Sequence, residues 1–167
     1  MTHPELDAET LYAQLESQVK SALTGKSRLA VVGIYSGGAW LADRLAKSLD
    51  VVDVGYIDVS FYRDDYAEKG LHAEVKPSHI PFEVEGATIL LVDDVLYTGR
   101  TTRAAINTLF DYGRPAKVML AALLDRGGRQ LPVAADFVAK KITLEENQLL
   151  ILQKAEDGHL TLTVDHA

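Results

Sequence analysis

The stretch best suited to chemistry is ILLVDDVLYTGRT, residues 89–101. Four apolar residues, Ile89 to Val92, run into two adjacent aspartates, Asp93 and Asp94, and Thr98-Gly99-Arg100-Thr101 follows. Carboxylates are costly to bury and like charges repel, so the pair belongs where something rewards it. Carboxylates accept hydrogen bonds from sugar hydroxyls. A glycine loop opening a helix presents backbone N–H groups to an anion, assisted by the helix dipole. The hydroxyls of Thr98, Thr101 and Thr102 add donors. A ribose phosphate satisfies both halves. The spacing is neither the G-x-x-x-x-G-K-[ST] of a nucleotide-phosphate loop nor the G-x-G-x-x-G of a dinucleotide site. The plain alternative is a strand ending in a capped turn, with Asp94 serving the local backbone.

These residues need a scaffold, and the flanking pattern describes one. Leu11, Leu15, Val19 and Leu23 recur at helical spacing and Gly25 follows, so an N-terminal helix lies within residues 1–25. Leu29 to Ile34 reads as a buried strand, and Ser36-Gly37-Gly38 turns the chain into a helix over about 39–49. Val51 to Tyr62 reads as a strand, Thr88 to Val92 as a short one, 101–112 as a helix closed by Gly113 and Pro115, and Lys117 to Leu124 as a buried strand. Strand-like runs recur near 135–142, 149–154 and 160–164. Apolar strands alternating with helices predict an α/β fold, a mostly parallel sheet flanked by helices on both faces. The aspartates then lie at the carboxyl end of a strand, where open α/β sheets bind ligands. Residues 63–81 are polar and long for a connection, which suggests a flexible functional loop or a hairpin.

The 167 residues fit a single domain, 1–167. The absence of cysteine excludes a disulfide framework and a thiolate metal site. The acidic N-terminus is no signal peptide, and the longest strongly apolar run, Val118 to Leu124, is too short to span a bilayer; a cytoplasmic protein is expected. The net charge of −7 argues against a general nucleic-acid binder, but it is uneven. Residues 98–129 hold six cations against Asp111 and Asp125, a local +4, so the remainder carries −11. A positive field inside an acidic chain suits an anionic ligand, or is simply a solvated basic face.

The stretch 89–101 resembles the thirteen-residue signature of type I phosphoribosyltransferases. Together with Phe61-Tyr62-Arg63-Asp64-Asp65, DYGRPAKV and LLDRGGRQLP, it resembles the PyrR family over about residues 29–142. That resemblance implies a type I phosphoribosyltransferase fold with a flexible loop and a small β-rich hood to which 125–167 contributes. It implies a uracil phosphoribosyltransferase that converts uracil and phosphoribosyl pyrophosphate to UMP and pyrophosphate with Mg²⁺. Asp93 and Asp94 would hold the ribose hydroxyls and touch the metal through water, and Tyr97, Thr98, Gly99, Arg100 and Thr101 would wrap the 5′-phosphate. Arg63 would reach the pyrophosphate from the closing loop, or else pair with Asp64 or Asp65. Arg126 would reach the base from the hood, or else engage Asp125 at the surface. No catalytic base is assigned. The family also suggests a homodimer or higher homo-oligomer and, in some members, binding of leader RNA. Lys140 and Lys141 with the 98–129 cluster are the basic residues available for that. A nucleotide-sensing RNA-binding regulator with weak or no turnover is therefore the alternative function.

Two positions depart from the pattern. Purine-using relatives usually carry an acid just before the TG; here it is Tyr97, which disfavours purines, or simply packs. The family commonly carries Thr-Arg-Gly after the first strand, its arginine holding pyrophosphate, where this chain has Ser36-Gly37-Gly38. A lost charged hydrogen bond is worth roughly 1.5–3 kcal/mol. Weak turnover is expected unless Arg63 compensates, and Gly37→Arg should strengthen pyrophosphate handling unless Gly37 has positive φ.

Overall fold

The computed structural model describes residues 6–59 and 78–166. In chain order the elements are α1 (Ala8–Leu23), β1 (Leu29–Ile34), α2 (Gly37–Ser48), β2 (Val54–Ile57), β3 (Thr88–Leu96), α3 (Arg100–Tyr112), β4 (Lys117–Asp125), β5 (Phe137–Lys141), β6 (Gln148–Lys154) and β7 (Leu160–His166). Five strands form one sheet in the order β2-β1-β3-β4-β5, every pair parallel. The sheet continues through 137–141, so the first strand of the 125–167 segment is an edge of the main sheet. Among the described residues only β6 and β7 stand apart, as an antiparallel hairpin.

The apolar runs of β1, β3 and β4 are buried on both faces because alternate residues feed two cores. Val31, Leu90, Val92 and Ala121 pack with α1, α2 and the hairpin residues Leu152, Leu160 and Val164. Val32, Ile89, Leu91 and Ala122 pack with Ala105 and Leu109 of α3. The sheet thus separates α1, α2 and the hairpin from α3.

Helix α1 starts at Asp7, whose carboxylate accepts from the Thr10 N–H at 2.9 Å. It is fastened to its neighbours by Glu9, which accepts a bidentate pair from Arg44 of α2 at 2.7 and 2.9 Å and a third bond from the Leu160 N–H at 2.8 Å. Arg44 also donates to the Gly158 carbonyl at 2.7 Å, so one ion pair ties α1, α2 and the hairpin turn. The Arg44 hydrogen bond, helped by the Leu160 N–H against the cost of burial, lowers the Glu9 carboxyl from 4.5 to about 2. A carboxyl depressed in the folded state stabilises fully above its ordinary value and loses that contribution as the pH falls from 4.5 through 2. A third of the Glu9 side chain is exposed, so the expected size is that of a part-exposed pair, about 1 kcal/mol. Glu9→Gln should therefore lower the midpoint of thermal unfolding by roughly 2–4 °C at pH 7. The gap to the parent protein should close as the pH is lowered below 4. A gap that widens on acidification would refute this assignment.

Both outer strands of the sheet have their backbone engaged. At β5 the Gln18 side-chain amide pairs with Val138, donating to its carbonyl at 2.9 Å and accepting from its N–H at 3.2 Å. At β2, Tyr56 and His79 exchange backbone bonds of 2.8 Å each way.

Candidate active site

Strand order reverses direction between β1 and β3: β1 leads through α2 to β2 on one side, and β3 leads through α3 to β4 on the other. That is where open parallel sheets leave a crevice at the carboxyl ends of the strands. The pairing of β1 with β3 ends at Gly33 and Val92, and the next two residues of β3 are Asp93 and Asp94. The sequence reading had this strand stop at Val92. It continues to Leu96, because β4 still pairs with it after β1 has turned away, Asp93 opposite Ala122 and Leu96 opposite Asp125.

This placement resolves the repulsion between the aspartates. Successive side chains of a strand point to opposite faces. Asp94 lies against Gly37 of α2, on the α1–α2 side, and Asp93 is directed to the other and is buried. Each carboxylate accepts the following residue's N–H at 2.8 Å. Local backbone service, the plain alternative, is thus present, and it uses one oxygen of each group.

The N-terminus of α2 closes one side of the crevice at very short range. A Cβ on Gly37 would sit 2.6 Å from Asp94 Oδ2. One on Gly38 would collide with the Val92 carbonyl oxygen and lie 3.1 Å from Asp93 Cα, and one on Gly33 would lie 2.6 Å from Ala39 Cα. Glycines here let the helix start directly on the strand ends. Gly37 does not have positive φ, so the expected obstacle to Gly37→Arg is replaced by another: the Asp94 carboxylate occupies the space. Ser36 makes no side-chain cap on α2. Just before it, Tyr35 stacks on Tyr56 with ring centroids 5.5 Å apart, and the Tyr56 hydroxyl donates to Asp43 of α2. Burial first, and that bond to Asp43, raise the Tyr56 phenol to about 12, so it stays a donor.

The other side is the turn into α3. Gly99 takes the left-handed φ of 96° at the N-cap, a conformation other residues rarely adopt. Thr98 is buried, its hydroxyl accepts from the Arg100 N–H at 3.2 Å, and its carbonyl accepts from the N–H groups of Gln130 and Leu131 at 2.9 and 3.1 Å. Arg100 is exposed and its guanidinium donates to Gln130 Oε1 at 2.8 Å. Thr101 is partly exposed in the first turn of α3. The segment after β4 therefore holds this turn in shape. Gln130 and Leu131 were not singled out in the sequence as site residues. The signal available was position, since β3 and β4 are parallel neighbours and their following loops share one end of the sheet.

Tyr97 and Arg126 come together, stacked on each other. The Arg126 guanidinium lies over the Tyr97 ring at 4.0 Å, and a Cβ on Gly128 would sit 2.5 Å from Tyr97 Cε1. Arg126 is buried at 7% exposure. Its terminal nitrogens donate to the carbonyls of Gln148 at 2.7 Å and Glu145 at 2.9 Å, while Nε is buried without a partner. Each terminal nitrogen thus has one N–H engaged by backbone, and the surface interaction with Asp125 is not formed. Arg63 and most of the 63–81 loop lie outside the described residues.

The geometry thus offers the Asp94 carboxylate between two helix starts, with buried Asp93 next to it in the strand. It can hold a vicinal diol and, on either side, an anion. Carboxylate oxygens also suit hydrated Mg²⁺, which they would meet through its own water molecules. Among the described residues no helix is long and apolar enough to cross a membrane.

A family model described as phosphoribosyl transferase domain matches residues 5–153. The protein named "Bifunctional protein PyrR" from Ralstonia nicotianae is 52% identical over 95% of this chain and 92% of its own length. Among solved structures, a hypoxanthine phosphoribosyltransferase from Staphylococcus aureus matches with a TM-score of 0.61 and 26% identity, covering 82% of this chain and 74% of that one. A hypoxanthine-guanine phosphoribosyltransferase from Bacillus anthracis matches with a TM-score of 0.65 and 21% identity over 82% of each chain, a likeness of fold.

Proposed function

Because the chain belongs to the phosphoribosyl transferase domain family and to its PyrR members, we propose that it is a uracil phosphoribosyltransferase. It transfers the ribosyl phosphate of phosphoribosyl pyrophosphate to uracil, forming a C1–N1 bond as the C1–O bond to pyrophosphate breaks and the N1 proton is released with the products. The observation that carries this reading is the Asp94 carboxylate seated on Gly37 between two helix starts. One ligand that combines a diol with an anion on each side fits it.

In this reading Asp93 and Asp94 accept from the ribose hydroxyls. The turn from Thr98 to Thr101 takes the 5′-phosphate on the N-terminus of α3. The start of α2, from Ser36 to Gly38, takes the pyrophosphate on backbone N–H groups, joined by Arg63. Mg²⁺, when bound, neutralises charge on the leaving pyrophosphate. The transition state gains positive charge at the sugar, as glycosyl transfer does, and the two carboxylates are placed to stabilise it. Tyr97, backed by Arg126, is the wall that the base meets. A phenol pinned by a guanidinium presents no carboxylate to a purine. Work on a soluble nucleobase agrees with a cytoplasmic location.

The test is nucleotide formation from phosphoribosyl pyrophosphate and Mg²⁺ with uracil, hypoxanthine, guanine, adenine or orotate in parallel. Uracil should turn over fastest, by at least about tenfold, the effect of one missing polar contact. Faster turnover of any purine would refute the base assignment. A second role, binding of leader RNA, is favoured by the word bifunctional in the relative's name, and Lys140 and Lys141 at the sheet edge are available to it.

A further inference from the structure

The hairpin β6–β7 is fastened at both ends by buried or half-buried arginines from opposite sides of the crevice. At the open end Arg126, which follows β4 and stacks on Tyr97, holds the carbonyls of Gln148 and Glu145. At the turn, Arg44 of α2 holds the Gly158 carbonyl, and its partner Glu9 holds the Leu160 N–H. Gln148 pairs with His166 at one end of the hairpin and Lys154 with Leu160 at the other, so the two fastenings are about 20 Å apart along the strands. Between them the hairpin is not loose: Leu152, Leu160, Leu162 and Val164 are buried in the core shared with α1 and α2.

These contacts close a ring. The start of α2 meets Asp94 through Gly37; α2 holds the hairpin turn through Arg44; the hairpin base is held by Arg126; Arg126 holds Tyr97, the third residue after Asp94. The two walls of the crevice, the α2 start and the turn 97–101, are joined on one side by Asp94 itself and on the other by the hairpin. Neither arginine needs to touch a ligand to matter there, because what each sets is the spacing between the walls.

We infer that the C-terminal hairpin is a brace fixing the width of the crevice, with Arg44 and Arg126 as positioning residues for phosphoribosyl transfer. This deepens the proposed function and rests on it. It also gives Arg126 a role that its engaged terminal nitrogens permit. A misplacement of about 1 Å at a reacting centre can cost on the order of 100-fold in rate, so such a brace has kinetic weight without any direct contact.

The test uses full-length Arg44→Met, Arg126→Met and the double variant. Two independent contacts so far apart should give additive effects, whereas two fastenings of one brace should not. Each single variant should raise KM for phosphoribosyl pyrophosphate about tenfold, and the double variant should be no worse than the worse single one. Hydrogen exchange on the unliganded protein gives a second reading that needs no activity. Arg126→Met should speed exchange at amides 158–160 and 37–41, at the far fastening and beyond it. A purely local role would loosen only 97–99 and 145–148. Additive kinetics, or unchanged exchange at the far end, would overturn the brace. If a methionine variant does not fold, Arg44→Lys and Arg126→Lys, which keep the charge and fewer donors, carry the same comparison. A wild-type protein that forms no UMP would instead defeat the proposed function, while the exchange experiment would still decide the brace.

Discussion

Replacing Asp93 and Asp94 together by asparagine should leave the protein folded and weaken its binding of phosphoribosyl pyrophosphate by about 100-fold or more. Asparagine keeps the shape and one acceptor oxygen, so the bonds from the Asp94 and Val95 N–H groups can persist. Asp93 is buried, and exchanging a buried carboxylate for a neutral amide removes a charge that the core must otherwise accommodate. What is lost is the charge facing the ligand. Two charge-assisted hydrogen bonds at roughly 1.5–3 kcal/mol each correspond to a loss of about 100-fold or more in affinity. The attraction for hydrated Mg²⁺ goes with them. Calorimetric titration of the double variant, with circular dichroism to establish folding, decides it. Parental affinity in a folded double variant would remove these residues from the ribose site.

Gly37 and Gly38 are neighbours with opposite expected failures. Gly38→Ala drives a Cβ into the Val92 carbonyl and against Asp93 Cα, all backbone of the central strand. Neither the helix nor the strand can yield cheaply, so the cost belongs at the upper end of overpacking, about 3 kcal/mol, or on the order of 10 °C in melting temperature. Gly37→Ala meets a side chain instead, the Asp94 carboxylate at 2.6 Å. The fold should survive while Asp94 is displaced, and affinity for phosphoribosyl pyrophosphate should fall tenfold or more, the value of one charged bond. Gly37→Arg adds a cation but pays the same displacement, so it should weaken binding, the reverse of the sequence expectation. Differential scanning calorimetry and ligand titration on the three variants separate the cases. Tighter pyrophosphate binding by Gly37→Arg would show that Asp94 does not need its present seat.

The sequence announced the parallel layers because strands buried on both faces need unbroken apolar runs, and Leu29–Ile34 and Val118–Leu124 supply them. It also marked the crevice, since two carboxylates after such a run have few other places to be. Boundaries were harder. Val51 to Tyr62 has strand propensity throughout, yet β2 starts at Val54. The Val51 N–H instead closes the end of α2 on the Ala46 carbonyl, and Val52 is 93% exposed. Propensity does not record where a neighbouring strand is available. Helix α2 began two residues earlier than read, at glycines that propensity disfavours and close packing on β3 requires. The role of Arg126 was least legible. Its partners, Glu145 and Gln148, contribute only backbone carbonyls, which every residue has, and they lie about twenty residues away. The Glu9–Arg44–Gly158 tie has the same character, with ends of the chain meeting through groups that no local pattern predicts.

The amide of Gln18 bears on how this molecule behaves in a crowd. Sheet margins are templates on which foreign strands add, and growth of that kind, once begun, repeats itself into fibres. By occupying both hydrogen-bonding groups of Val138, a single glutamine blunts one margin, with Lys140 and Lys141 next to it adding charge, and the Tyr56–His79 exchange blunts the other. At these two margins of the main sheet strand addition is opposed, which favours contacts between copies through side-chain surfaces, selective and saturable, over pairing there.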